Sequence, residues 1–396
     1  MSEQIIRIAA KGDGVTLSGR HVAGAVTGDM LMPTGDVAPG PHRAVPPCRH
    51  FGVCGGCQLQ HADEAALKDF VTQRITHAAR SHDLAIGTLE ETALSPPRSR
   101  RRATLHGLRT AQGAVLGFRE RGSNKIVDMR ECHIIEAALF DLVAPLRRLI
   151  AEHATKGPID VVMTIADQGI DCLLKGEFSA GLAAAEAMLE FARLHELARL
   201  SIDQGYEAET IWEPVPVTVH LGQYAVGLPH GAFLQPTMDG EATLMADAVR
   251  HLAGVSRIAD LFAGLGTFAF ALANPAKVLA VEAARDASLA CKTAANLQGV
   301  PVHAMHRDLF RNPLDADEIA RFDAVLLDPP RAGAREQVNM IAQSLASRVV
   351  YISCNPSSWA RDARRLLDAG FKIDAVRPVG QFRWSTHVEL TSYFTR

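Results

Sequence analysis

Two short segments carry the side chains best suited to do chemistry. Asp328-Pro329-Pro330-Arg331 follows the apolar run 324–327, and Ser353-Cys354-Asn355-Pro356 follows the apolar run 349–352. An apolar run of that length, closed by turn-forming residues, reads as a buried strand. In an open parallel α/β sheet, ligands bind just beyond the carboxyl ends of the strands. An acid and a thiol leaving neighbouring strand ends would then share one crevice, the acid orienting a substrate and the thiol attacking it. A cysteine in such a place points to covalent catalysis rather than simple binding.

The elements that must position these groups begin with residues 258–268, Ile-Ala-Asp-Leu-Phe-Ala-Gly-Leu-Gly-Thr-Phe. This segment reads as a strand, a glycine turn and the start of a helix. Gly264 and Gly266 allow a ligand to approach the backbone, and the helix start leaves N–H groups unpaired. The next strand, 278–281, ends in Glu282, an acid that can accept from both hydroxyls of a ribose. A third strand region ends near Asp308, within reach of an adenine amino group. A pyrophosphate-binding turn wants a third glycine, yet Ala269 stands there, and Asp260 suits a cationic ligand better. The sulfonium of S-adenosylmethionine fits that preference; the plain alternative is an ordinary α/β turn.

A second cluster is Cys48-x5-Cys54-Gly55-Gly56-Cys57, three thiols from one glycine-bent loop. Zinc and iron–sulfur clusters both want a fourth ligand. Cys132, Cys172, Cys291 and Cys354 are the candidates. Cys132, in Arg130-Glu131-Cys132-His133, is favoured because it lies away from the catalytic half; Cys172 and Cys291 sit in apolar strand and helix patterns that suggest core packing. Zinc fingers commonly show paired short spacings, so a tight trio plus a distant single cysteine leans towards iron–sulfur without excluding zinc.

With 47% hydrophobic and 21% charged residues in 396, the chain has the composition of a soluble multidomain protein. It has no apolar run of the roughly 20 residues needed to span a bilayer, and its first residues lack a secretory pattern, so a cytoplasmic protein is expected. Seven cysteines, three of them crowded together, suit a reducing compartment and a metal or cluster. The net charge of −3 hides a basic stripe: between Arg98 and Arg130 there are nine Lys or Arg and two acids. Such a stripe could hold phosphate, with Arg100, Arg101 and Arg102 at its heart, or be a solvated face.

Turn signals and short β runs mark residues 1–46 as a small β module, and prolines 41–47 as a linker. A helix is expected over about 62–82, with Ala66, Phe70, Ile75 and Ala79 on one face. Residues 47–229 then mix β runs with a long helix around 180–200. From residue 230 to 396, strand and helix alternate as in a doubly wound parallel sheet. The fold class expected is therefore α/β, with a Rossmann-like C-terminal domain, a central α+β domain carrying the cysteines, and a small N-terminal β module.

Taken in order, the cysteine cluster, Ala232-Phe233-Leu234-Gln235-Pro236, the 260–268 glycine loop, Asp328-Pro-Pro-Arg-Ala-Gly333, Ser-Cys-Asn-Pro356 and His387-Val388-Glu389 closely resemble the bacterial RNA (uracil-5-)-methyltransferases. The likeness covers nearly all of the chain from Cys48 to Glu389 and is greatest to the iron–sulfur branch acting on 23S ribosomal RNA. The N-terminal module resembles a TRAM (OB-like) barrel, shortened by about a quarter. The resemblance implies a [4Fe–4S] cluster on Cys48, Cys54, Cys57 and Cys132. It also implies S-adenosylmethionine and uracil pockets lined by Gln235, Phe262, Thr267, Glu282, Asp308 and Asp328. Relatives usually carry Asp-x-Phe-Pro before the final His-Val-Glu, where this chain has Gly380-Gln381-Phe382-Arg383.

Carbon 5 of uracil is a poor nucleophile. A thiolate added at carbon 6 makes an enolate that can take a methyl group at carbon 5, after which a base must remove the carbon-5 proton. The resemblance casts Cys354 as the nucleophile and Glu389 as the base. The target uridine must be single-stranded or flipped out, with Phe233 and Trp384 as candidate stacking partners, and the enzyme is expected to act as a monomer. The same chemistry on transfer RNA, and a non-catalytic iron–sulfur RNA-binding protein, are the alternative readings. A cytosine-5 enzyme would carry a second, Pro-Cys cysteine, which is absent after Asp328-Pro-Pro.

Overall fold

The computed structural model describes residues 1–396. Its strands form sheets of five, six and nine strands and one separate hairpin. The first sheet is antiparallel, with Glu3–Ile8 at its centre and His21–Val22 and Val37–Ala38 at its rims. The rims do not pair with each other, so the module is a half-barrel packed around Ile5, Val15, Ala25 and Leu31.

The nine-stranded sheet carries the segments that bear Asp328 and Cys354. Its parallel part runs, in spatial order, Val302–His306, Lys277–Glu282, Arg257–Leu261, Ala324–Leu327 and Arg348–Ser353. All four residues of Ala324–Leu327 are buried, as befits a strand covered by helices on both faces. The order reverses between Arg257–Leu261 and Ala324–Leu327, which opens a crevice at their carboxyl ends. The last strand, Glu389–Thr395, enters antiparallel between Arg348–Ser353 and Lys372–Gly380.

Helix Pro356–Asp368 starts where the sequence signals it. Asn355 caps the Ser357 amide at 3.1 Å and proline occupies the first turn. Its Trp359 is fully buried and donates from Nε1 to Ser392 Oγ at 2.9 Å. Truncating that side chain to alanine would cost about 3–5 kcal/mol.

The catalytic sheet recruits elements from well upstream of residue 230. Strand Ile86–Leu89 pairs in parallel with Lys372–Gly380, and Ala93–Leu94 extends the same edge. Helix Glu64–Arg80, capped by Asp63, lays Ala66, Phe70, Ile75 and Ala79 into the core shared with Trp359 and Ile373. The hairpin Thr218–Leu221 and Tyr224–Gly227 packs into a core with helix residues Leu244 and Phe268. Residues expected in the central segment thus complete the catalytic unit from both ends.

The six-stranded sheet, with Pro158–Ala166 near its middle, forms the rest of that segment. The helix expected over 180–200 spans Leu182–Leu194. It stops because Glu196 takes a left-handed backbone at φ 48° and the chain returns as strand Arg199–Asp203.

Candidate active site

The carboxyl ends of the parallel strands open into a cavity of about 760 Å3. Gln235, Phe262, Thr267, Glu282, Asp308, Asp328, Cys354 and Glu389 all line it, so the expected catalytic and cofactor-binding residues meet in one place.

One end is built by the glycine turn. Gly266 sits at φ 94°, and a Cβ there would lie 2.8 Å from Cys291 Sγ, so the turn needs glycine for both conformation and space. Phe262 also has a left-handed backbone, φ 66°, a strain of the kind that gathers at functional sites. Its ring meets Phe310 at 5.4 Å between centroids. Glu282 accepts from the Gly264 amide at 2.9 Å and the Ala284 amide at 2.7 Å, which pins its carboxylate to the loop. Each carboxylate oxygen has a second lone pair free for a ligand hydroxyl. Asp260 is fully buried and neither oxygen closes a hydrogen bond. Burial lifts its carboxyl to about 7, an effect the nearby Ala269 amide only partly offsets.

The other end holds the thiol and two further acids. Ser353 pairs with Leu390 in the antiparallel register, so Cys354 and Glu389 follow as cross-strand neighbours. Asp328 leaves the adjacent strand end with its amide donating to Leu261 O at 3.2 Å. Gln235 donates from Nε2 to Asp328 at 3.2 Å; Gln381 donates from Nε2 to Gln235 Oε1 at 3.0 Å and also to the Glu389 carboxyl. A continuous amide chain therefore links the two acids. Burial pushes the Glu389 carboxyl up to about 7, moderated by the Gln381 bond and the Arg331 charge. Burial and the neighbouring acids, Glu389 first, hold Asp328 well above the usual carboxylate range. The Cys354 thiol is raised by burial and by the carboxylates of Glu389 and Asp328, and Arg331 opposes that rise. The arrangement offers a thiol, an acid that keeps its proton near neutrality, and a second carboxyl poised to gain or lose one.

Gln381, Phe310 and Arg331 were not singled out as site residues. Gln381 lies in the segment that departs from its relatives' pattern, and Phe310 stands two residues after Asp308; both signals were present. Of the two candidate stacking aromatics, Phe233 is 61% exposed and lines the cavity, whereas Trp384 is buried among core residues.

The basic stripe does not form one surface. Arg101 is buried, meeting Glu241 at 2.5 Å and the Gln235 carbonyl at 3.0 Å, so it is a structural clamp and not a phosphate ligand. Arg102 lies over the Phe233 ring, 5.9 Å from its centroid, while Lys125 and Arg130 pair with Glu120 and Asp128.

Cys48, Cys54, Cys57 and Cys132 line one small cavity of about 30 Å3 with Phe51 and Phe118. Of the four candidates for the fourth ligand, Cys132 alone reaches it; Cys172 and Cys291 are buried in cores elsewhere, and Cys354 is in the catalytic cavity. No cysteine is in a disulfide, and no three His, Cys, Asp or Glu side chains are arranged to share a single metal ion. Burial raises the Cys48, Cys54 and Cys57 thiols, Cys57 to about 12.

Comparison with known proteins decides the family. A model of the tRNA (uracil-5-)-methyltransferase family matches residues 198–396. The chain is 47% identical over 395 residues to a protein of Zymomonas mobilis named as an uncharacterized RNA methyltransferase, covering 100% of both. The chain belongs to the RNA (uracil-5-)-methyltransferase family. It is also 31% identical over 373 residues to the 23S rRNA (uracil(1939)-C(5))-methyltransferase RlmD of Chromohalobacter salexigens, covering 91% of this chain and 78% of that one. Its fold matches the crystal structure of the Pyrococcus abyssi tRNA (uracil-54, C5)-methyltransferase in complex with S-adenosyl-L-homocysteine, with a TM-score of 0.75, 21% identity and 100% coverage of both. As an RNA methyltransferase the protein is S-adenosylmethionine-dependent. None of its helices is long and apolar enough to cross a membrane.

Proposed function

We propose that this methyltransferase moves the methyl group of S-adenosylmethionine to carbon 5 of a uridine in 23S ribosomal RNA through a transient bond between Cys354 and carbon 6. The observation that carries this reading is the register of Ser353 with Leu390, which sets thiol and acid side by side in the lining of one cavity. The Cys354 thiolate adds to carbon 6, and the electron pair of the 5,6 double bond moves into the enolate. Carbon 5 then attacks the sulfonium methyl, and S-adenosylhomocysteine leaves. The Glu389 carboxylate takes the carbon-5 proton, the double bond re-forms and the thiolate departs. Asp328, protonated by its burial, is suited to donate to the enolate oxygen, and Gln235 to fix the uracil edge. Glu282 would accept from the ribose of the cofactor, Asp308 from its adenine amino group, and Phe262 and Thr267 would wall the same pocket.

Ribosomal RNA is favoured over transfer RNA by the relative named for 23S rRNA, which aligns over nine-tenths of this chain. Cys48, Cys54, Cys57 and Cys132 would hold a [4Fe–4S] cluster, since all four line one cavity. A bound cluster would supply the positive charge that holds the four sulfurs as thiolates and would tie the 48–57 loop to the 130–133 segment.

The deciding experiment incubates RNA with the enzyme and labelled cofactor and analyses the nucleosides by mass. We expect 5-methyluridine from ribosomal RNA, together with a denaturation-resistant complex on 5-fluorouridine RNA that Cys354→Ala abolishes. Product formation by Cys354→Ala would remove that residue from its role. Transfer RNA as the preferred substrate would overturn the ribosomal assignment.

A further inference from the structure

Beside the catalytic cavity lies a second one of about 560 Å3, and Arg331, Phe382 and His387 line both. Arg100, Arg119, Arg121 and Arg383 also face the second cavity, against a single acid, Glu120, which pairs with Lys125 at 3.1 Å. Arg383 reaches Glu64 at 3.1 Å. The other four guanidinium groups have only neutral partners. Arg100 donates to the Arg102 carbonyl at 2.9 Å, Arg119 to Asn124 Oδ1 at 3.0 Å, Arg121 to the Lys11 carbonyl at 3.1 Å, and Arg331 to the His387 ring at 2.9 Å. Elsewhere in the molecule Arg101, Arg199, Arg307 and Arg377 each meet a carboxylate.

Four guanidinium groups gathered with no carboxylate bonded to them repel one another, and a polyanion entering the cavity would relieve that repulsion. Planar guanidinium forks match phosphate oxygens better than any other side chain does. Phe382 adds an aromatic face, with the Arg100 guanidinium 5.4 Å from its centroid, the pairing that holds an unstacked base. The walls are fixed to each other. The Gly55 amide donates to the Arg119 carbonyl at 2.8 Å and the Arg121 amide to the Val53 carbonyl at 2.9 Å, so the cysteine loop carries the arginine wall.

We propose that this arginine-lined cavity is the subsite for the nucleotide next to the target uridine in single-stranded RNA. Its phosphate lies on Arg119, Arg121 and Arg331, and its base lies against Phe382. The inference rests on the reading of the neighbouring cavity as the uridine site. It narrows phosphate recognition to arginines drawn from two halves of the chain, leaving out Arg101.

The test uses the full-length protein as isolated and a short fluorescein-labelled oligouridylate, with affinity followed by anisotropy across a salt series. Arg119 and Arg121 are both exposed, so the double variant Arg119→Gln/Arg121→Gln should fold, and S-adenosylhomocysteine binding checks that it does. We expect its affinity to fall roughly 10- to 100-fold and the log–log salt slope to shrink by about 0.7, for one phosphate contact on a single strand. One methylphosphonate placed in turn along the oligonucleotide should weaken the unaltered protein at one position and leave the double variant insensitive there. An unchanged affinity and slope would overturn the subsite, as would an equal loss on double-stranded RNA of the same length. The chemistry at Cys354 is read separately from the 5-fluorouridine adduct: loss of salt slope with no adduct sinks the uridine reading alone, and an adduct with no slope change sinks this one alone.

Discussion

Gln381 and Glu389, eight residues apart, are joined by a hydrogen bond from the Gln381 side-chain amide to the Glu389 carboxyl, and both side chains are buried. The same amide nitrogen donates to Gln235, which donates to Asp328. The two acids of the site are thus held at either end of a pair of glutamines, and a change at either glutamine should be felt at both. Replacing Gln381 by Met keeps the bulk and removes the donor. The bond that now lowers the Glu389 carboxyl is lost, so its midpoint should rise. We expect kcat to fall roughly 10- to 100-fold and its acid limb to move to higher pH, with cofactor affinity little changed; pH-resolved single-turnover kinetics measure this.

Gly240 makes room for that glutamine. A Cβ at Gly240 would lie 2.3 Å from Gln381 Cγ and 2.4 Å from its Cδ. In an ordinary helix Gly→Ala is favourable by about 1 kcal/mol. Here Gly240→Ala should instead destabilise by about 1–3 kcal/mol and reproduce the kinetic defect of Gln381→Met. In a Gln381→Ala background the same change should become neutral or stabilising, a coupling that a double-mutant cycle in urea reads directly.

The raised Glu389 carboxyl has a sign that can be checked. Below its ordinary value of 4.5 the group is protonated in both folded and unfolded chains and contributes nothing. Between 4.5 and about 7 the unfolded chain releases the proton and the folded chain keeps it, so stability falls as pH rises. Glu389→Gln should therefore be more stable than the parent by roughly 1–3 kcal/mol at pH 8 and by nothing at pH 4. The same variant should methylate RNA once and remain attached to it. Equal stability at both pH values would mean that the carboxyl is not buried in solution.

Thiol reactivity gives an independent view. Burial and the two neighbouring acids raise the Cys354 thiol, and Arg331 counteracts them. Iodoacetamide alkylation, with the Cys354→Ala rate subtracted, should titrate above the ordinary thiol midpoint of about 8.5. In Arg331→Gln the midpoint should move higher still. A shift to lower pH would show that another group sets the thiol.

Arg101 and Glu241 form a buried pair that also fastens the Gln235 carbonyl. Arg101→Met leaves an acid stranded in the interior and should cost about 3–5 kcal/mol, most of it recovered when Glu241→Leu is added. Denaturant melts of the three variants decide this.

The shared crevice was legible because parallel strands are short, apolar and punctuated. Asp328 and Cys354 each follow an apolar run, and Glu282 ends another, so their common crevice could be read from the sequence. The cross-strand placement of Glu389 was carried by resemblance, since nothing local says that the last strand inserts antiparallel beside Ser353. The burial of Arg101 was illegible for a similar reason. A charge run looks alike whether its members face solvent or a distant acid, and Glu241 lies 140 residues away. The pairing of Ile86–Leu89 with Lys372–Gly380 was hidden by the same sequence distance.

That last pairing sets a limit on how the enzyme can be taken apart. A fragment of 230–396 would expose the backbone of Lys372–Gly380 along a bare rim and uncover the flank of Trp359 and Ile373 that helix Glu64–Arg80 now shields. Such a rim invites strand-to-strand association. The two halves are interlocked through the chain, so swapping one for a relative's means carrying residues 59–94 along with the 230–396 half.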